Sequence, residues 1–311
     1  MTDAAARAVT RTPGPAPVLL GSLAALGAVA IWGGWIVATR FGVTSSFSPV
    51  EIAILRTLPP GIILLPVLAR LPWRKIRWSH AALMIAGAGA PYFLIVSAGT
   101  QFAPVADVGA LLPGTMPLFA ALFAFLLLGE RLGRWRLVGF ALIVAGGVAV
   151  GGASLLTGDP GAWRGHIWFL AGAALWAAYT LALRQSGLGA WQATALVSAG
   201  SLIVMVPVVL IDGNVRFDAS WTEIAVQVGA QGIGSGLLAM AAFGIAVRHL
   251  GGSNAAAFSA LVPVLATLIA VPVLGELPGA VTWMGVGAVC GGVALASGVL
   301  RRLTSGRPAM V

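Results

Sequence analysis

The 311-residue sequence contains little charge, since Asp, Glu, Lys and Arg together make up 9% of it. Soluble domains carry about 25% charged residues, so this composition excludes an ordinary soluble protein. A single cysteine, Cys290, excludes an intramolecular disulfide bond and a cysteine-based metal site. The HExxH and GxSxG patterns of zinc peptidases and serine hydrolases are also absent. We therefore predict a protein that is not an enzyme and that holds no cofactor and no metal ion.

Apolar residues fill most of the sequence instead. Hydrophobic residues account for 59% of the chain, and the mean hydropathy is +0.97. A helix needs about 20 apolar residues to cross a bilayer, and ten segments approach that length. They lie at 18–39, 49–69, 81–101, 104–128, 135–153, 167–184, 191–211, 223–247, 254–274 and 281–300. These segments predict an all-α integral membrane protein with ten transmembrane helices.

The basic residues predict how the chain is oriented. A formal net charge of +9 raises the alternative of nucleic-acid binding, but the arginines stand between apolar segments rather than in one patch. With both termini in the cytoplasm, fourteen Lys and Arg residues are cytoplasmic, three are outside, and Arg56 lies within a span. Lys and Arg of short loops concentrate on the cytoplasmic side. We predict cytoplasmic N- and C-termini, a lipid bilayer as partner and no nucleic acid.

Two parts of the chain repeat the same residues at a nearly constant spacing. Residues that recur 146 positions later are Pro117 as Pro263, Gly129 as Gly275, Glu130 as Glu276 and Gly139 as Gly285. Residues that recur 144 positions later are Trp32 as Trp176, Trp35 as Tyr179 and Arg40 as Arg184. A repeat of five spans enters the membrane from the opposite face the second time. The arginines that follow Glu130 are therefore missing after Glu276, because that loop lies outside.

The pattern predicts two inverted five-helix repeats, with chance similarity between Ala-, Gly- and Leu-rich segments as the alternative. The predicted organisation is a cytoplasmic tail (1–17), a first repeat (18–153), an extracytoplasmic linker (154–166), a second repeat (167–300) and a cytoplasmic tail (301–311). Inverted repeats that hold a substrate between them near the bilayer midplane are typical of secondary transporters.

The sequence resembles the EamA-like family of the drug/metabolite transporter superfamily. The resemblance is carried by the two Pro-to-Gly-Glu stretches, which begin at Pro117 and Pro263, and by AIWGGW in the first span. It covers nearly the whole chain. It implies a carrier of small metabolites in the bacterial cytoplasmic membrane, commonly an exporter of amino acids. Exporters of aromatic amino acids are one group that the resemblance includes without singling out.

Aromatic residues near the middle of the membrane are candidates for substrate binding. Trp32 and Trp176 each precede an arginine at a helix end by eight residues, which places them about 12 Å from that end. Trp35 and Tyr179 follow three residues later on nearly the same helical face. Tyr92, in the third span, is a further candidate. The alternative is that these rings pack in the bundle interior or face lipid.

Three polar residues within spans are also candidates. Arg56 could hold a substrate carboxylate, or it could play a structural role and extend toward the outer face near Glu51. Gln231 and Ser235 lie four residues apart on the eighth span, where they could donate or accept hydrogen bonds. Each could equally be a packed structural residue.

Prolines within spans predict places where helices bend. Pro113 and Pro117 lie one helical turn apart in LLPGTMP, and Pro263 begins the second Pro-to-Gly-Glu stretch. Each removes a backbone hydrogen bond and favours a kink. We predict that these prolines contribute to a kink or a gate.

These observations together predict a carrier that works by alternating access. The cargo is expected to be small and zwitterionic or neutral, because phosphorylated compounds require several cations and only Arg56 lies within a span. A receptor or structural membrane protein without transport activity, and a channel, are the alternatives. The exact substrate, the direction of transport, ion coupling and oligomeric state are left open, and a monomer is possible.

Overall fold

A computed structural model shows a protein built of helices. It describes residues 15–129, 133–157, 161–250, 255 and 257–297, and it assigns no strand within these ranges. Glu130 and both predicted tails, apart from residues 15–17, lie outside the described residues.

The helices follow one another with short connections. In chain order they are α1 (Pro15–Thr44), α2 (Pro49–Ile63), α3 (Leu65–Ala69), α4 (Trp78–Ala88), α5 (Ala90–Thr100), α6 (Val105–Leu111), α7 (Met116–Leu128), α8 (Arg134–Thr157), α9 (Ala162–Ser186), α10 (Ala190–Asp212), α11 (Trp221–Gln227), α12 (Ala239–Leu250), α13 (Val262–Leu274) and α14 (Ala280–Ala296). A π-helical segment, Val228–Leu238, joins α11 to α12. Single 3-10 turns occur at Trp73–Lys75 and Ser259–Leu261.

Seven stretches of the described chain are long and apolar enough to cross a membrane. They are Ala16–Thr44, Trp78–Thr100, Val105–Leu127, Arg134–Leu156, Ala162–Ser186, Ala190–Asp212 and Trp221–Leu250. The other three predicted spans coincide with α13, α14 and the α2–α3 pair, which is interrupted at Leu64 after Pro59 and Pro60. The all-helical membrane protein is therefore confirmed, whereas the count of ten crossings stays a prediction.

Local sequence explains where several helices begin and end. Ser48 and Glu51 form a capping box at the start of α2, and Ser220 and Glu223 form another at the start of α11. Gly129 ends α7 with φ +67°, and Gly275 ends α13 with φ +68°. Both lie in the left-handed region that glycine adopts at low cost. This explains the glycine in each Gly-Glu motif.

Glycines bring α8 and α14 into close contact. A Cβ added at Gly139 would lie 2.6 Å from the Gly292 carbonyl oxygen, and one at Gly285 would lie 2.8 Å from the Gly146 carbonyl oxygen. Real Cβ atoms do not come this close, so larger residues would force the two backbones apart. Small residues play this role widely between membrane helices.

One of the three predicted kink prolines, Pro113, lies in an interruption between helices, whereas the other two lie at helix starts. The chain leaves helical geometry between Leu111 and Met116, where Pro113 lies. Pro117 is the second residue of α7, and Pro263 is the second residue of α13. At this position the missing N–H costs no helical hydrogen bond. A further interruption occurs at Gly89, which separates α4 from α5 with extended backbone angles.

The first and second halves of the chain are interleaved. Helix α1 packs against α12 and α13, whereas α9 packs against α4, α5 and α7. Helix α2 packs against the π-helical segment and α10. Helices of the first half therefore pack against helices of the second half throughout the bundle.

Candidate functional site

A cavity lies between helices of both halves. It encloses ≈ 570 Å³ of space between protein atoms, a figure that includes its opening to solvent. Its walls come from α1, α2, the α4–α5 junction, α9, α10, the π-helical segment and α12, and the residues used below are Trp32, Arg56, Trp176, Tyr179, Thr194, Ser198, Ser201 and Ser235. Five of the eight predicted substrate-binding residues are among them, namely Trp32, Arg56, Trp176, Tyr179 and Ser235.

One wall of the cavity is aromatic. The rings of Trp176 and Tyr179 lie 5.1 Å apart between centroids and are tilted by 55°. Trp32, from the other half of the chain, has its ring 5.3 Å from that of Phe243. Tilted pairs at these distances are favourable aromatic contacts. The arrangement leaves apolar ring surface beside the cavity that a planar ligand could cover.

Among the described residues that line the cavity, Arg56 is the only charged one. Its Nη1 donates a hydrogen bond to Ser235 Oγ at 3.1 Å. Its guanidinium carbon lies 4.8 Å from the centroid of the Trp35 ring and 5.1 Å from that of Phe93, which are cation–π distances. Among the residues that the structure describes, no carboxylate lies within ion-pair distance of Arg56.

Glu51, the acid nearest to Arg56 in the sequence, is bound elsewhere. One carboxylate oxygen accepts hydrogen bonds from the backbone amides of Arg216 and Phe217, at 3.0 and 2.9 Å. The other accepts from the amide of Ser48 at 2.8 Å. Three amide donors satisfy this carboxylate, so no acid in the described part of the chain supplies a counter-charge to Arg56.

Hydroxyl groups of α10 form another part of the wall, and the sequence analysis did not identify them. Thr194, Ser198 and Ser201 lie at spacings of three and four residues, on one face of the helix. Ser201 Oγ accepts a hydrogen bond from the amide of Ala90 at 2.9 Å, so it anchors the start of α5 at the break. Serine and threonine are common in apolar helices, and their sequence alone carries no signal of a site.

Three predicted residues lie beside the cavity rather than on its wall. Trp35 is buried against Arg56, and its indole Nε1 has no hydrogen-bond partner. Tyr92 is buried with its ring 5.5 Å from that of Trp176. Gln231 is buried, and its amide nitrogen donates to Thr39 Oγ1 at 3.0 Å and to Gln227 Oε1 at 3.1 Å. Gln231 therefore joins helices, Tyr92 packs against Trp176 of the aromatic wall, and Trp35 packs against Arg56 and Phe93.

The opposite end of the bundle is held by polar contacts, and we call this region the sealed end. Arg40 Nε donates to Glu276 Oε1 at 3.2 Å, and Arg40 Nη1 donates to the carbonyl of Thr100. Glu276 Oε2 accepts from the amide of Val105 at 2.7 Å. Arg40 lies eight residues beyond Trp32 on α1, about 12 Å along the helix. These contacts join α1 and α13 to α5 and α6.

Two further polar pairs link the halves of the chain. Ser46 Oγ donates to Glu223 Oε1 at 2.6 Å. His166 Nε2 and Asp107 Oδ2 lie 2.6 Å apart, and the Asp107 side chain is 1% exposed. Asp107 was not singled out in the sequence, because its partner lies 59 residues away. The described residues contain no group of three His, Cys, Asp or Glu that could hold a metal ion.

Known proteins resemble this chain over nearly its whole length. The model of the EamA-like transporter family matches residues 19–151 and 163–298. The "Uncharacterized inner membrane transporter YedA" of Escherichia coli (strain K12) is 26% identical over 285 residues, which cover 89% of this chain and 90% of the relative. The protein of the same name from Escherichia coli O157:H7 matches equally. A solved structure titled "Crystal structure of protein" superimposes with a TM-score of 0.60 at 24% identity, over 92% of this chain and 99% of that one. The last match shows a shared fold.

Proposed function

The chain belongs to the EamA-like transporter family, and we propose that it is a secondary carrier that exports a small zwitterionic or neutral metabolite across the bacterial inner membrane. An amino acid, and in particular an aromatic one, fits the cavity best. The observation that carries this proposal is the convergence of Trp32 and Arg56 with Trp176 and Tyr179, from both halves of the chain, on one cavity. Ligand sites of this kind combine apolar walls with few, well-placed polar groups.

The charge of the cavity supports the choice of cargo. A phosphorylated compound would call for several cations, and Arg56 is the one cation among the lining residues that the structure describes. One arginine suits one carboxylate, because the guanidinium fork matches the two carboxylate oxygens. The Trp32, Trp176 and Tyr179 rings would then cover the side chain of an aromatic amino acid.

The packing supports two inverted five-helix repeats, spanning 18–153 and 167–300. Helix α1 lies against α12 and α13 of the second half, and its predicted equivalent α9 lies against α4, α5 and α7 of the first. The equivalent glycines Gly129 and Gly275 adopt the same left-handed conformation. The two ranges matched by the family model agree with these limits.

Alternating access is supported by the difference between the two ends of the bundle. The cavity lies toward one end, while Arg40, Glu276 and their partners close the other. With both termini in the cytoplasm, the cavity faces the cytoplasm and the sealed end faces outward. A carrier in this state can load a cytoplasmic metabolite, as the proposed export requires.

The proposal is tested by counterflow in proteoliposomes. Purified protein is reconstituted with a panel of unlabelled amino acids inside, and uptake of labelled phenylalanine is followed with and without a pH gradient. We expect saturable uptake that depends on internal amino acid. Movement of a phosphorylated compound without amino-acid counterflow would overturn the choice of cargo, ion conductance would indicate a channel, and the absence of any flux would favour a receptor or structural protein.

A further inference from the structure

Among the described residues, the cavity wall carries hydrogen-bond donors and one positive charge, but no negative charge. None of its lining residues is Asp or Glu. The indole N–H groups of Trp32 and Trp176 are donors only, as is the guanidinium of Arg56. Trp35, buried beside Arg56, adds an indole N–H without a partner. The hydroxyl groups of the lining residues can accept hydrogen bonds, but none of them carries the negative charge that would offset an ammonium group.

The acids that the structure describes are engaged or remote from the cavity. Glu51 accepts from backbone amides, and Asp107 contacts His166. Glu223 accepts from serine groups, and Glu276 accepts from Arg40. Asp212 ends α10, eleven residues beyond the cavity residue Ser201, about 16 Å along the helix. Asp218 follows in the exposed segment before α11. None of these carboxylates is placed to neutralise an ammonium group in the cavity.

The side chains that contact Arg56 from the surrounding helices are uncharged. They are Trp35 from α1, Tyr92 and Phe93 from α5, and Ser235 from the π-helical segment. A buried cation is costly unless it is paired or reached by water. Water in the open cavity can reach Arg56 when no cargo is bound, and a carboxylate of the cargo would supply the counter-charge.

We propose that the cavity recognises its cargo through a carboxylate on Arg56 and an aromatic or apolar body on the Trp32, Trp176 and Tyr179 rings, and that it does not read an α-ammonium group. The cargo class is therefore the aromatic or apolar monocarboxylates, with or without an α-amino group. This inference rests on the proposed function, and it extends the class beyond amino acids.

The test compares three ligands that share a benzene ring and a short chain: L-phenylalanine, 3-phenylpropionate, which lacks the amino group, and phenethylamine, which lacks the carboxylate. Each competes against labelled phenylalanine for binding to the detergent-solubilised protein. We expect 3-phenylpropionate to bind within about fivefold of phenylalanine, since an ammonium group over an aromatic ring in a cavity open to solvent adds no more than about fivefold in affinity. We expect phenethylamine to bind at least about tenfold more weakly than phenylalanine, because it lacks the carboxylate that makes charge-assisted hydrogen bonds to Arg56.

A pair of matched variants assigns the effect to the cavity. Arg56→Gln should lower the affinity for both carboxylate ligands by about tenfold to a hundredfold. The affinity for phenethylamine should stay the same or rise. Arg164→Gln is the control, because Arg164 also lies over aromatic rings, Phe102 and Trp163, but is exposed and does not line the cavity. It should leave the order of the three ligands intact.

The outcomes separate this inference from the proposed function. Phenethylamine that competes as well as phenylalanine, or 3-phenylpropionate that fails to compete, would overturn the inference even where phenylalanine is exchanged. Absence of both binding and counterflow for every compound would instead overturn the proposed function. If Arg56→Gln does not fold, the ligand series on the unchanged protein still decides.

Discussion

Arg40 and Arg56 are two arginines of the same half that the structure treats differently. Arg40 donates to the Glu276 carboxylate and to the Thr100 carbonyl. Arg56 donates to one neutral hydroxyl, on Ser235, and otherwise lies over aromatic rings. A cation that holds helices together is neutralised by the protein itself. A cation left without a counter-charge beside a cavity is suited to an anionic group of a ligand.

The largest effects are expected when each arginine is replaced. The Arg56 variant should lose affinity, and the Arg40 variant should lose stability. Arg56→Gln should lower the affinity for phenylalanine by about 1.5–3 kcal/mol, the value of a charged hydrogen bond, which is roughly tenfold to a hundredfold. It should leave the free energy of unfolding equal or higher, because an uncompensated charge is removed. Arg40→Gln should lower that free energy by about 1–3 kcal/mol, because Glu276 loses its cation. Binding titrations and thermal unfolding in detergent measure both quantities.

Similar behaviour of the two variants would contradict the assignment of Arg56 to binding and Arg40 to stability. Equal loss of unfolding temperature, with equal loss of affinity, would make Arg56 a structural residue like Arg40. That result would return Arg56 to the alternative considered from sequence.

The aromatic wall should account for the next largest effect. Trp176→Ala and Trp32→Ala each remove a ring that lines the cavity, and aromatic pairs contribute about 0.5–1.5 kcal/mol beyond buried area. We expect apparent affinity to fall roughly twofold to tenfold in the counterflow assay at equal expression. Trp221→Ala serves as the matched control, because Trp221 is 87% exposed. Unchanged flux in both cavity variants would place the binding site elsewhere.

The sealed end should open more readily when its carboxylate is neutralised. Glu276→Gln keeps the shape of the side chain and weakens the contacts to Arg40 and Val105. A change of about 1 kcal/mol shifts a two-state population roughly fivefold. Spin labels at Thr44→Cys and Arg164→Cys, in a Cys290→Ala background, report the distance across this end by electron resonance.

We expect a longer distance to gain population in Glu276→Gln. An identical distance distribution in the two proteins would mean that these contacts do not control opening of this end.

An effect no larger than that of the aromatic rings is expected at the hydroxyl that positions Arg56. Ser235→Ala removes the hydrogen bond from Arg56 Nη1 and should reduce affinity for phenylalanine by about 0.5–1.5 kcal/mol. Ser46→Ala removes a serine hydrogen bond to Glu223 outside the cavity and is the matched control. A larger loss of affinity in Ser46→Ala than in Ser235→Ala would contradict the assignment.

Part of this site could be predicted because the sequence repeats itself. Trp32 and Trp176 stand at equal distances from Arg40 and Arg184, so helix geometry alone places them at similar depth. Periodicity and hydropathy likewise predicted the helical membrane protein. The same logic explains Gly129 and Gly275, whose left-handed conformations the repeat predicts to be equivalent.

Other parts depend on contacts that one sequence does not reveal. The amide nitrogen of Gln231 donates to Thr39 and Gln227, while its oxygen is buried without a partner, and nothing in the sequence of the eighth span reveals these contacts. Ser198 and Ser201 line the cavity only because α10 turns that face inward. Asp107 finds His166 through tertiary packing.

The most direct test concerns the claim that the cavity and the sealed end belong to opposite faces of the membrane. Thr194 lines the cavity, and Leu277, next to Glu276, is 82% exposed. Each is replaced by cysteine in a Cys290→Ala background and treated with a membrane-impermeant maleimide. The account predicts that Leu277→Cys reacts in intact cells, whereas Thr194→Cys reacts only in inside-out vesicles and is protected by phenylalanine. Reaction of both cysteines from the same face would contradict it.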